Sequence, residues 1–104
     1  MSKELTQVKE QIAIRSEERI EEPHQYKVLL HNDNYTTMDF VVQVLEVVFG
    51  KTSTEATRIM LNVHQKGIGV CGIYTAEIAE TKVAMVCHMA QQHGFPLKCS
   101  MEEV

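Results

Sequence analysis

The pattern of this sequence predicts a small single-domain α+β sandwich in the order β-α-α-β-α-β, a three-stranded antiparallel sheet packed on three helices. Short, apolar, β-rich runs near 26–30, 68–74 and 97–101 are separated by longer segments whose apolar residues recur at helical spacing. Threonines followed two or three positions on by an acidic residue open the helical segments, and glycines close them. A length of 104 residues fits one domain with a modest core.

In chain order, residues 1–24 mix charges with scattered aliphatics and end near Pro23. Leu5, Val8 and Ile12 make a stripe too thin to offset the entropy of ordering it, so 1–24 is expected to be a flexible N-terminal extension and 25–104 the core domain. Tyr26-Lys27-Val28-Leu29-Leu30 reads as a strand. It delivers the chain into His31-Asn32-Asp33-Asn34-Tyr35, whose side-chain acceptors favour turns over regular structure.

Thr36 with Asp39 three residues later reads as a capping-box variant opening a helix from Thr37 to about Phe49. Met38, Val41, Val42, Leu45, Val48 and Phe49 form its apolar stripe, thickened by Phe40, Val44 and Val47, and Gly50 stops it. Thr52 with Glu55 caps a second helix, whose Ala56, Ile59, Met60 and Val63 face the core and which ends at Gln65-Lys66-Gly67. Two glycines in the second strand, 68–74, suggest a bulge or a close backbone approach. Thr75 caps a third helix with Ile78, Ala79, Val83, Val86, Cys87 and Ala90 inward and Lys82, His88, Gln91 and Gln92 outward. Gly94 and Pro96 close that helix, and Leu97, Cys99 and Met101 alternate with polar residues in a last strand.

A formal net charge of -4 gives no footprint for gripping nucleic acid. No apolar run approaches membrane-spanning length, and the first residues lack the apolar region of a signal peptide. Cys71, Cys87 and Cys99 are odd in number and set in apolar segments, which suits buried thiols in a reducing cytosol.

Three polar residues stand out: Asn32 and Asp33 on the loop, and His64 near the end of the second helix. An amide carbonyl, a carboxylate and a neutral imidazole nitrogen are all acceptors, a set that matches the three donors of a primary ammonium. Each has a plainer reading, since Asn-Asp-Asn is an ordinary turn and a lone helical His is usually a surface or core residue. A zinc site is disfavoured: there is no CxxC pair or HExxH motif, and His88 and His93 are wrongly spaced for one helix face. A hydrolytic dyad of Cys71 and His64 is conceivable, but a mid-strand thiol among apolar residues is inert, and slow alkylation would count against it.

Tyr26-Lys27-Val28, Asn32-Asp33, Tyr35-Thr36, Met38-Asp39-Phe40-Val41, His64 and Thr75-Ala76-Glu77-Ile78-Ala79-Glu80-Thr81-Lys82-Val83 together resemble the ClpS family from about residue 25 to the C-terminus. These adaptors hand N-end-rule substrates to the AAA+ unfoldase ClpA, partner of the ClpP protease. The resemblance implies that Asn32, Asp33 and His64 hold a substrate's free α-amino group. It also implies a pocket for a first residue Leu, Phe, Tyr or Trp at Thr36, Met38, Val41, Met60, Val63 and Leu97, with Met38 as gatekeeper. Glu77 and Lys82 match the patch that docks on the unfoldase's N-terminal domain, and the extension corresponds to the segment engaged during delivery. The implied protein is a bacterial cytoplasmic monomer, not an enzyme, with no cofactor and no nucleic-acid or membrane partner.

Two positions depart from the family. Thr37 stands where many members have Pro, which suggests a looser loop, and Asn34 stands where Asp is usual, which lowers the negative charge near the amine. Rival readings are an unfoldase-docking regulator of the same fold without N-degron cargo, the Cys71-His64 hydrolase, and a relative by fold alone with other partners.

Overall fold

A computed structural model describes residues 23–104, so the expected extension lies, except for Pro23 and His24, outside the described residues. The elements are β1 (Gln25–His31), α1 (Met38–Val47), α2 (Ser53–Lys66), β2 (Ile68–Thr75), α3 (Ala76–His93) and β3 (Lys98–Glu103), in the expected order. The sheet has the order β2-β1-β3 with both pairings antiparallel, which places β1 in the centre.

Strand alternation divides β1 between two faces. Val28 and Leu30 are fully buried in the core cluster with Val44, Leu45, Cys71 and Val86, whereas the intervening Leu29 is buried outside that cluster, on the side away from the helices. The expected irregularity in β2 is a bulge. Val28 pairs with Gly72 and Leu29 with Val70, so Cys71 is the extra residue. The close approach is at Gly69, where a Cβ would lie 2.6 Å from Cγ2 of Val63 and 3.4 Å from the carbonyl oxygen of Ile59. Only a bare backbone lets β2 seat on α2 at this distance.

The caps follow the sequence with one correction. The N-cap of α1 is Thr37, not Thr36: the Thr37 hydroxyl accepts from the Phe40 N–H at 3.1 Å. Thr36 is drawn away by the Asp33 carboxylate, which accepts from both its N–H and its hydroxyl. Thr37 therefore closes the helix start at the position where a looser entrance was expected. Thr52 accepts from the Glu55 N–H at 3.2 Å, as expected. Thr75 is the N-cap of α3 but makes no side-chain capping bond. At the far end Gly94, with φ 72°, lets its own N–H reach Gln91 and the Phe95 N–H reach Ala90, satisfying carbonyls the helix leaves open.

Four residues expected on the buried stripes lie outside: Met38, Val47, Ile78 and Cys87 are exposed. Ala79, Val86 and Ala90 form a narrow buried stripe on α3, and Ile78 and Cys87 each sit one position, about 100° of helix rotation, beside it. Val47, the last residue of α1, falls at the border of the stripe made by Val44, Leu45 and Val48.

Gly69→Ala is expected to destabilise the domain by about 1–3 kcal/mol because the added methyl forces β2 off α2. Urea unfolding measures this, and Val63→Ala in the same chain should recover part of the loss by removing the clashing methyl.

Candidate functional site

The loop between β1 and α1 is held from two sides. The Asn32 N–H donates to the Gly67 carbonyl at 2.9 Å, tying the loop to the end of α2. Gly67 can stand there because it caps α2 in the left-handed region at φ 86°. From within, Oδ1 of Asp33 accepts from the Tyr35 N–H at 2.8 Å and the Thr36 N–H at 2.7 Å, while Oδ2 accepts from the Thr36 hydroxyl at 2.7 Å. This is why Thr36 does not cap α1.

A carboxylate has about four acceptor sites. Three are filled inside the loop, which leaves one on Oδ2 for a donor from outside. Desolvation alone would raise the Asp33 pKa, but the three hydrogen bonds from Thr36 and Tyr35 outweigh it and hold the group below the usual carboxylate value. The carboxylate is thus kept ionised and aimed before any ligand arrives. Behind the loop, Nε2 of His31 is hydrogen-bonded to Oγ of Ser100 at 2.7 Å, joining the end of β1 to β3. Burial, then the Lys98 charge, lowers the His31 pKa and keeps the ring neutral.

His64 is exposed on the last turn of α2, three residues before the Gly67 carbonyl that anchors the loop. Val41, Met60, Val63 and Leu97 share the core cluster and are each less than a tenth exposed. Met38, the first residue of α1, is 43% exposed, and Thr36 is partly buried. An open groove of about 500 Å³ lies elsewhere, between α2 and β2, and none of the predicted site residues lines it.

Glu77 is exposed in the first turn of α3, as expected. Lys82 does not simply face solvent. It is partly buried, its Nζ donates to the Val48 carbonyl at 2.6 Å and lies 5.8 Å from the centre of the Tyr74 ring. A cation there satisfies a carbonyl left open at the end of α1 and ties α3 to it.

Cys71 is buried, and burial, followed by the neighbouring Cys99, pushes its thiol up to about 12 despite the opposing Lys51 charge and the Leu30 N–H. A thiol at that value is no nucleophile near neutral pH. Among the described residues no three His, Cys, Asp or Glu side chains gather to hold a metal ion, and no helix is long and apolar enough to cross a membrane.

Sequence reasoning missed the structural duties of Asp33, Thr37 and Lys82. The first was readable in Asp33-x-x-Thr36, a spacing at which an Asx side chain caps a short turn. Lys82 gave no local signal, because its partner is 34 residues away.

A family model described as the ATP-dependent Clp protease adaptor protein ClpS matches residues 21–100. The chain belongs to the ClpS family. Among its relatives, the ATP-dependent Clp protease adapter protein ClpS of Oleidesulfovibrio alaskensis is 58% identical over 104 residues, covering all of both chains. The protein of the same name from Desulfatibacillum aliphaticivorans is 66% identical over 85 residues, 82% of each chain. Agrobacterium tumefaciens ClpS2 bound to L-phenylalaninamide is similar in structure, with a TM-score of 0.77 and 36% identity over 79% of this chain and 99% of that one.

In this ClpS-family member the depressed Asp33 pKa makes loop stability pH-dependent. The group stabilises the fold above its unfolded pKa, near 3.8, and that contribution is lost as pH falls through the lower folded value. Asp33→Asn should therefore be less stable than the parent at pH 7, with the difference shrinking as pH is taken below about 4 in denaturant titrations.

Proposed function

We propose that this chain is a non-enzymatic adaptor that binds the free N-terminal residue of N-degron substrates, Leu, Phe, Tyr or Trp, and delivers them to a ClpA-type unfoldase. The supporting observation is the preorganised Asp33 carboxylate with one acceptor site free, on a loop pinned beside the helix end that carries His64. In this reading Asn32, Asp33 and His64 accept from the substrate ammonium. Met38, Val41, Met60, Val63 and Leu97 take the first side chain, with Thr36 at the rim. L-phenylalaninamide, bound by the related structure, is itself a free α-amine with an aromatic side chain and an amide in place of a carboxylate, the chemistry of a peptide's first residue.

Magnitudes favour recognition of the amine. Burying a Leu or Phe side chain contributes about 1.5–3 kcal/mol, and each hydrogen bond to a charged group a further ~1.5–3 kcal/mol. Association costs about 4–15 kcal/mol, so the side chain alone is too weak and the ammonium supplies much of the affinity. Docking on the unfoldase's N-terminal domain is assigned to Glu77 and Lys82. Since Lys82 also ties α3 to α1, Glu77→Ala tests docking without disturbing that tie. Residues 1–24 act as the extension engaged during delivery, and the protein works as a cytoplasmic monomer.

Fluorescence polarisation with peptides differing only in their first residue, and with the Leu peptide acetylated, tests cargo binding. Leu, Phe, Tyr and Trp peptides should bind and the acetylated control should not; equal affinity for both Leu peptides would reject the reading. A chain lacking residues 1–22 should bind these peptides as the full chain does yet fail to support their degradation by the unfoldase and its protease. Normal degradation would remove the extension from the account.

A further inference from the structure

The groove between α2 and β2 has no part in the proposed amine site, and its composition points to a ligand of its own. β2 is an edge strand, so from Ile68 to Ile73 one side of its backbone lies beyond the β1 ladder. A row of backbone donors and acceptors at a sheet edge is a template for another strand. The groove of about 500 Å³ along this edge is walled by Arg58, Asn62 and Lys66 of α2, with Lys51 at one end, and among the described residues no acidic one lines it. On a chain of net charge -4 this is a local reversal of sign. Among the described residues the one ion pair joins His24 and Glu103, so Lys51, Arg58 and Lys66 have no carboxylate partner there.

The bulge sharpens the pattern. Because Cys71 is an extra residue, Ile68, Val70 and Ile73 pair with His31, Leu29 and Lys27 and all fall on the face away from the helices. They are 41%, 46% and 52% exposed. A strand added beside β2, about 4.8 Å out, would send alternate side chains to the two faces. One set would meet the cations of α2, and the other would meet branched apolar side chains.

We infer that the free edge of β2 is a second docking site, which takes an extended segment of a partner protein alternating carboxylates with branched apolar residues as a fourth strand of the sheet. Charge complementarity selects the acidic set, and the Ile68, Val70 and Ile73 surface selects the apolar set. Nucleic acid fits less well, because among the described residues no aromatic side chain lines the groove for bases to stack on.

The test uses the full chain and a fluorescent, N-acetylated peptide Glu-Val-Glu-Ile-Glu-Val, whose blocked amine keeps it out of the proposed amine site. Saturable binding is expected, unchanged by excess L-phenylalaninamide and weakened about tenfold or more by Arg58→Glu with Lys66→Glu. Both substituted residues are exposed, and the double variant should keep its binding of Leu-started peptides, which reports that it is folded. Methylating alternate backbone nitrogens of the peptide should abolish binding without any change to the protein. Absence of binding would overturn the inference and leave a charged edge that merely resists aggregation. So would equal binding of the peptide with Lys in place of Glu, or equally tight binding of a single-stranded oligonucleotide with the same loss in the double variant. Binding only after removal of residues 1–22 would assign the edge to the chain's own acidic arm and also overturn it.

Discussion

A strand hydrogen-bonded along both edges cannot slide without breaking two ladders, and β1 is that strand here. Its position governs the rest of the molecule. Val28 and Leu30 anchor the core on one face. The end of β1 is clamped to β3 through His31 and Ser100, and the next residue, Asn32, is tied to the end of α2. The polar loop therefore leaves a fixed point in a fixed direction, so its carboxylate can be held ready without being buried. Ordering entropy that a free loop would lose on binding is already lost in folding.

Electrostatics then separates two regions of one small surface. At the loop, Asp33 is an acceptor-rich point stabilised by local donors, with a charge suited to a compact cation. Near Gly67, Lys66 joins Arg58 and Lys51 along the groove beside β2, with no carboxylate partner among the described residues. The two regions thus differ in the sign of their charge. In the proposed reading the two prefer ligands of opposite charge, which allows their occupancy to be told apart.

The fold was legible because its signals are local: helical spacing, short β-rich runs and glycine stops. Gly67 and Gly94 carry positive φ where the sequence places helix ends, and the two glycines of β2 mark a bulge and a close approach. Reading errors arose where the deciding partner was distant or where two polar residues competed. Lys82 looked solvated because nothing in its neighbourhood reveals the Val48 carbonyl. Thr36 looked like a cap, but Asp33 takes both its N–H and its hydroxyl, leaving the cap to Thr37. Ile78 and Cys87 were assigned to a core stripe wider than the one α3 buries. For the site, residue chemistry suggested three acceptors, while the tie of the loop to the end of α2 through the Asn32 to Gly67 bond needs the tertiary structure.

The central claim, that the Asp33 loop receives a free amine, is tested most directly by following backbone amide resonances while adding L-phenylalaninamide and, separately, its N-acetyl derivative. The account predicts saturable shifts centred on Asn32 to Thr36 and on His64 with the free amine and none with the acetylated compound. Shifts of equal size with both compounds, or shifts confined to other parts of the sheet, would contradict it.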